Sequence, residues 1–308
     1  MSSKIQIVEV GPRDGLQNED VILSTAEKIA LIDSLVVAGV TRIEAVSFAH
    51  PEYVPQLADA EAVMAGIDTQ PDVSYIGLVM NWRGWLRALE TNVDEVNVPV
   101  FASDTFNVEN QGVSTEESID VVEAITADAH SRGITVTATV GTAWGCPFEG
   151  EVPVQHLIDA VQGVRAAGVD EIAVADTIGV ADPWSVRQRL KDVQSEVGDT
   201  PLRVHFHDTR NTGLANTFAA IEVGVTTVDA SIGGIGGCPF APAATGNIAT
   251  DDLVYMLNRG GYEHGLSLAS LIAASGELET LINKTVPAML PRAGDFPRIS
   301  DPTQERRT

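Results

Sequence analysis

Along the 308-residue chain, apolar positions follow two alternating rhythms. Short stretches such as KIQIVEV at 4–10, RIEAVSF at 42–48, VSYIGLV at 73–79 and LRVHF at 202–206 have the density and period-two pattern of buried strands. Longer stretches at 25–38, 55–66, 82–91, 115–131, 153–167, 184–195, 213–223 and 248–258 repeat apolar residues every three to four positions, as amphipathic helices do. One phrase recurs where the two rhythms meet: AGVTRIEAVSF at 38, TNVDEVNVPVF at 91, RGITVTATVGT at 132, AGVDEIAVADT at 167 and VGVTTVDASIG at 223. Each predicts a helix, a glycine-type C-cap and a strand. Eight strands alternating with eight helices require a parallel sheet, and eight such units predict closure into a single (β/α)8 TIM barrel over residues 1–285. The stretch from 266 predicts one or two extra C-terminal helices, and 286–308, ending in RISDPTQERRT, predicts a polar, mobile tail.

Composition narrows the class. Hydrophobic residues make up 44% and charged residues 20%, a globular balance, and no apolar run approaches the roughly 18 residues that span a bilayer. The opening MSSKIQIVEV lacks the apolar stretch of a signal peptide, so a cytoplasmic protein without a membrane partner is expected. The net charge of −24, from 43 acidic against 19 basic residues, disfavours nucleic acid, whose phosphates need a basic footprint. The two cysteines, Cys146 and Cys238, each stand in a Gly-Cys-Pro-Phe tetrapeptide and do not make a disulfide framework.

A barrel places its chemistry at the C-terminal ends of the strands. The polar residues expected there are Arg13 and Asp14 after strand 1, Glu44 and Ser47 on strand 2, Asn107 and Asn110 in the loop after strand 4, Asp176 and Thr177 after strand 6, and His205 and His207 on strand 7. In VHFHD at 204–208 the two imidazoles project to one face, because strand side chains alternate. With Asp14 and the Asn247 side-chain carbonyl they make a mixed nitrogen and oxygen set suited to Mg2+ or Mn2+. GGIGGCP after strand 8 is either a phosphate cradle or a tight loop needing positive φ, and its Cys238 is a candidate proton shuttle beside the metal.

VEVGPRDGLQNE, RIEAVSF with PEYVPQLAD, ADTIGVADP, HFHDTRNTGLANT and GIGGCPFAPAATGNIATDDLVYML together resemble the 3-hydroxy-3-methylglutaryl-CoA lyase family, from about residue 4 to 285. The resemblance implies a divalent-metal-dependent carbon–carbon lyase that splits an acyl-CoA by retro-aldol/Claisen chemistry. It implies Asp14, His205, His207 and Asn247 as metal ligands, Arg13 polarising the thioester carbonyl, Glu44 shaping the site and Cys238 on a covering loop. Asp176 is expected to support the metal ligands, and Gln17, Ser47, Asn110 and Thr139 to face the substrate, with Asp176 beside them. A homo-oligomer, dimer or larger, is also expected.

The chain departs from the family at FNVEN 106–110, where lysines are common, at Thr139, where a tyrosine is frequent, and at MNWRGW 80–85. Three readings stay open on these residues: cleavage of 3-hydroxy-3-methylglutaryl-CoA; the same chemistry on citramalyl-CoA, another 3-hydroxy-3-alkyl acyl-CoA or a hydroxy acid; and a non-catalytic binding barrel.

Overall fold

The computed structural model describes residues 4–238 and 241–297, with Cys238 and residues 241–245 described through their backbone alone. Among the described residues, eight strands close into one barrel: β1 Gln6–Glu9, β2 Arg42–Ser47, β3 Ser74–Leu78, β4 Glu95–Phe101, β5 Thr135–Gly141, β6 Glu171–Asp176, β7 Leu202–Phe206 and β8 Thr227–Ala230. Each pairs in parallel with its chain neighbour, and β1 closes the ring on β8 with Gln6 opposite Thr227 and Glu9 opposite Ala230. The TIM barrel predicted from the alternation is the one observed.

The helices are α1 Thr25–Val37, α2 Ala60–Gly66, α3 Trp82–Ala88, α4 Asp104–Gln111, α5 Thr115–Ser131, α6 Val154–Ala166, α7 Pro183–Val197, α8 Gly213–Glu222, α9 Thr250–Gly260, α10 Leu268–Ile282 and α11 Leu290–Ala293. Local chemistry starts several of them: Ser24 with Glu27, and Ser114 with Glu117, form capping boxes in which each partner satisfies an otherwise orphaned N–H of the other. The recurring glycine after a helix has the physical basis expected of it. Gly39 sits at φ 97°, and a Cβ there would stand 2.6 Å from the Gly265 carbonyl oxygen. None of the described helices is long and apolar enough to cross a membrane.

Strand parity splits the interior in two. Val96, Val98, Val100, Ile172, Val174, Val204 and Val228 belong to the large apolar core that the helices cover, whereas Val8, Val10 and Ile76 form a separate cluster. The opposite parity on several strands is polar. The Arg42 guanidinium donates to Glu95 at 2.6 and 3.0 Å and to Glu171 at 2.7 and 3.0 Å. β2 and β6 are not neighbours, so these bonds cross the lumen. The floor of the barrel is thus an ion-pair layer where branched apolar side chains are usual.

Two expectations are corrected. Asn107 and Asn110 lie on α4, not in a loop; Ser103 caps this helix by accepting from the Phe106 N–H at 3.1 Å, and Gly112 ends it. The tail expected from 286 begins with packed residues, since Val286, Ala288 and Leu290 are buried, and the Met289 and Leu290 N–H groups donate to Asp252. Residues 298–308 of that tail lie outside the described residues. The extra C-terminal helices are α10 and α11.

Candidate metal and catalytic site

After β1 the chain makes one wide helical turn, Gly11–Gly15, whose Gly15 N–H reaches back five residues to the Val10 carbonyl at 3.2 Å. The turn depends on Gly11, where a Cβ would meet Glu9 Oε1 at 2.7 Å and the Ile232 side chain at 2.8 Å. Arg13 and Asp14 emerge from it into the mouth, both buried. Arg13 Nε donates to Glu44 Oε1 at 2.9 Å and Nη1 to Asp14 Oδ1 at 2.7 Å, so one guanidinium is held by carboxylates from two segments.

Asp14 is the hub. Its Oδ1 also accepts from Gln17 Nε2 at 2.9 Å and its Oδ2 from Asn247 Nδ2 at 2.7 Å, with His205 Nε2 at 4.0 Å. Burial disfavours its charge, but Arg13, then the two histidines and the Asn247 bond, outweigh that and hold its carboxyl below the usual range. His205 Nδ1 donates to Asp229 Oδ2 at 3.1 Å, and His207 Nδ1 to the Asp176 carbonyl oxygen at 2.9 Å. These acceptors hold a proton on Nδ1 of each ring; for His207 that leaves Nε2 as the lone-pair nitrogen, whereas at His205 burial, which disfavours charge, is outweighed by Asp229 and Asp14, which push its imidazole up. Burial, reinforced by the neighbouring His205, pushes His207 down to about 4, which keeps it neutral.

The donor set fits a divalent cation. Ligand atoms of Asp14, His205 and His207 lie within 4.8 Å of one another, the only such group among the described residues. His207 Nε2 and Asn247 Oδ1 are buried with no hydrogen-bond partner. Two orphaned lone pairs beside a carboxylate are what a hard or borderline cation satisfies, and a buried polar atom left alone is costly.

The remaining expected residues are placed less uniformly. Thr139 donates from Oγ1 to Asn97 Oδ1 at 2.7 Å, and Asn97 Nδ2 reaches Glu44 Oε1 at 3.4 Å, so Thr139 joins the cluster through Asn97. Asp176 contributes its backbone carbonyl to His207, while its carboxylate accepts from the Val180 and Ala181 N–H groups and is pushed up by burial. Ser47 is buried and its Oγ accepts from the Ala49 N–H, closing a turn. Among the described residues no hydrogen bond joins Ser47 or Asn110 to the Asp14 cluster; Asn110 Oδ1 is buried without a partner. The Cys238 side chain lies outside the described residues, but the preceding Gly237 carbonyl accepts from Asn18 Nδ2 at 2.6 Å, which brings the loop to the mouth.

Sequence reasoning overlooked Glu9, Asn97, Arg203 and Asp229. Glu9 Oε1 accepts from the Gly11 and Ile232 N–H groups, both at 2.8 Å, and Oε2 from Thr250 Oγ1 at 2.6 Å, tying the roots of the Arg13 turn and the glycine loop together. A parity signal was available for the other three: Arg203 stands two positions before His205, and Asp229 and Asn97 are polar residues inside otherwise apolar strands.

The HMGL-like family model matches residues 4–277. The chain is similar to a hydroxymethylglutaryl-CoA lyase of Bacillus subtilis, 40% identical over 285 residues that cover 92% of this chain and 95% of that one. It is likewise 40% identical to the mitochondrial hydroxymethylglutaryl-CoA lyase of Homo sapiens, with 95% and 90% covered. The solved structure of an HMG-CoA lyase from Acinetobacter baumannii in complex with coenzyme A and 3-methylmalate superimposes with a TM-score of 0.93 at 39% identity, covering 96% of this chain and 97% of that one.

Proposed function

We propose that this chain, which belongs to the HMGL-like family and is a carbon–carbon lyase, cleaves 3-hydroxy-3-methylglutaryl-CoA to acetyl-CoA and acetoacetate. The observation that carries the reading is the buried convergence of Arg13, Asp14, His205, His207 and Asn247, with a nitrogen and an oxygen lone pair left unpaired inside it. Asp14, His205, His207 and Asn247 would hold Mg2+ or Mn2+, which when bound supplies Lewis acidity and positive charge for the substrate's C3 oxygen and carboxylate.

The work of the protein groups follows from their chemistry. Cleavage removes the C3 hydroxyl proton and breaks the C2–C3 bond, leaving a ketone and a thioester enolate that must take a proton at C2. Arg13 keeps its proton and is pinned by Glu44 and Asp14, so it is a preorganised donor for the enolate oxygen. The hydroxyl proton goes to the Asp14 carboxylate, because His205, with its proton on Nδ1 and its Nε2 given to the cation, has no lone pair left to take it. Cys238, next to the Gly237 that Asn18 tethers, is the acid that returns a proton to C2. The acyl-CoA enters at this mouth, with Asn110 of α4 as a contact for it on the β4 side.

A specific observation favours a second hydroxyacyl-CoA as an alternative substrate: the Thr139 hydroxyl is spent on Asn97, leaving a small residue where the family often has an aromatic one. Product-resolved assays therefore pair 3-hydroxy-3-methylglutaryl-CoA with citramalyl-CoA. Dialysis against a chelator should abolish acetoacetate release, and Mg2+ or Mn2+ should restore it. Full turnover by metal-free enzyme, or no cleavage of any hydroxyacyl-CoA by the metal-loaded enzyme, overturns the reading.

A further inference from the structure

His205 and His207 are held in different ways. His207 is fixed by a neutral backbone carbonyl, whereas His205 is fixed by the carboxylate of Asp229, and that carboxylate has company of its own. Arg203 is fully buried, with Nε 3.0 Å from Asp229 Oδ1 and Nη1 at 3.6 Å from Glu171 and 3.9 Å from Glu95. None of its three nitrogens makes an aligned hydrogen bond, so the 3.0 Å approach acts as charge on charge. Strand geometry makes the stack: Thr227 pairs with Arg203 and Val228 with Val204, which sets Asp229 alongside His205, and residues 203 and 205 share one face of β7.

A column of alternating charge therefore climbs from the barrel floor to the mouth. Glu95 and Glu171 stand below Arg203, Asp229 above it, then His205, then Asp14. Arg42 and Arg203 face Glu95, Glu171 and Asp229 in this column, so the buried carboxylates outnumber the guanidiniums by one, and Asp229 is the carboxylate nearest His205. A buried carboxylate without a countercharge is costly, and Arg203 provides that countercharge without taking the oxygen that His205 uses.

We propose that Asp229, backed by Arg203, is the positioning residue for His205: it holds the imidazole proton on Nδ1 and the ring in place, so that Nε2 is the atom presented to the cation. This rests on the reading of His205 as a metal ligand. Carboxylates bonded to the far nitrogen of a ligating histidine commonly set both its tautomer and its affinity.

The isosteric variant Asp229→Asn tests the idea because an amide has only one oxygen. Arg203 would take that oxygen, the NH2 would face His205 Nδ1, and the imidazole proton would move to Nε2, closing the ligand atom. The full-length protein, labelled with 15N at histidine and free of metal at alkaline pH, is examined by long-range 1H–15N correlation. Mn2+ binding is then measured by calorimetry. Wild type should show His205 as the Nδ1–H tautomer. Asp229→Asn should show Nε2–H, with Mn2+ affinity reduced about 10- to 100-fold and His207 unchanged.

An Nε2–H tautomer for His205 in the wild type overturns the proposal before any variant is made. So does an Asp229→Asn protein that keeps both the Nδ1–H tautomer and wild-type Mn2+ affinity. Failure of the wild type to bind Mn2+ would instead reject the metal reading, and the tautomer measurement would still decide the role of Asp229.

Discussion

Glu9 is uncharged for much of the pH range in which carboxylates are normally ionised, and removing its charge altogether is a direct test of the site's foundation. It is fully buried, and burial pushes its carboxyl from 4.5 up to about 7 against the opposing effect of the Thr250 hydroxyl and the Ile232 and Gly11 N–H groups. Below pH 4.5 both the folded and unfolded chains hold the proton, and the stability from this group is fully present. As the pH rises the unfolded chain releases its proton first, so stability is lost until the pH passes about 7. At about 1.4 kcal/mol for each pH unit between the two titrations, the total is about 3 kcal/mol, an order-of-magnitude figure.

Glu9→Gln keeps an oxygen for the two N–H groups and offers an NH2 to Thr250 Oγ1, with no charge to bury. Its stability relative to wild type should therefore grow by about 2.5 kcal/mol between about pH 5 and about pH 8. Asp251, which burial pushes up to about 6, titrates in both proteins and largely drops out of the difference. Equilibrium urea unfolding followed by tryptophan fluorescence at several pH values measures that gap. Two stability curves running parallel across this range would refute the reasoning.

Cys238→Ser should lower kcat by about 100-fold or more with little change in KM, as loss of a general acid does, and an unaltered kcat after alkylation of Cys238 would contradict its role. Cys146→Ser should leave kcat and KM unchanged, because Cys146 is buried and accepts from Ser103 Oγ at 3.0 Å; its effect should be limited to stability, at about 1 kcal/mol by thermal unfolding. Arg13→Lys should reduce kcat/KM by about 100-fold, since an ammonium cannot keep both the Glu44 and Asp14 bonds while facing the enolate; steady-state rates equal to wild type would remove Arg13 from the chemistry. Thr139→Tyr should break the bond to Asn97 and shift the preference between 3-hydroxy-3-methylglutaryl-CoA and citramalyl-CoA by about 1–3 kcal/mol, read as a ratio of kcat/KM values, and an unmoved ratio would show that this wall does not select the acyl chain.

The barrel and the convergence of His205 and His207 at its mouth were legible in the chain because their signals are local. Period-two strands, amphipathic helices and a left-handed glycine between them are set within a dozen residues, and His205 and His207 fall on one strand face for the same reason. Asp14 and Asn247 came from the rule that strand ends gather at one mouth. The α4 helix escaped notice because it is only eight residues long and its signal is a single Ser103 cap. The lumen escaped for a different reason. Arg42 meets Glu95 and Glu171 53 and 129 positions away, Glu9 meets Ile232 223 positions away, and nothing in the neighbourhood of any one of them names its partner.

The two Gly-Cys-Pro-Phe tetrapeptides draw the line between what the sequence determines and what the fold decides. Their residues are the same, yet Cys146 is buried against Ser103 behind β5, while the chain at Gly237, next to Cys238, is bonded to Asn18 at the mouth. Local composition determines that each can turn tightly and carry a thiol. Which tetrapeptide is carried to the mouth depends on which strand end delivers it, and closure of the ring of eight strands decides that.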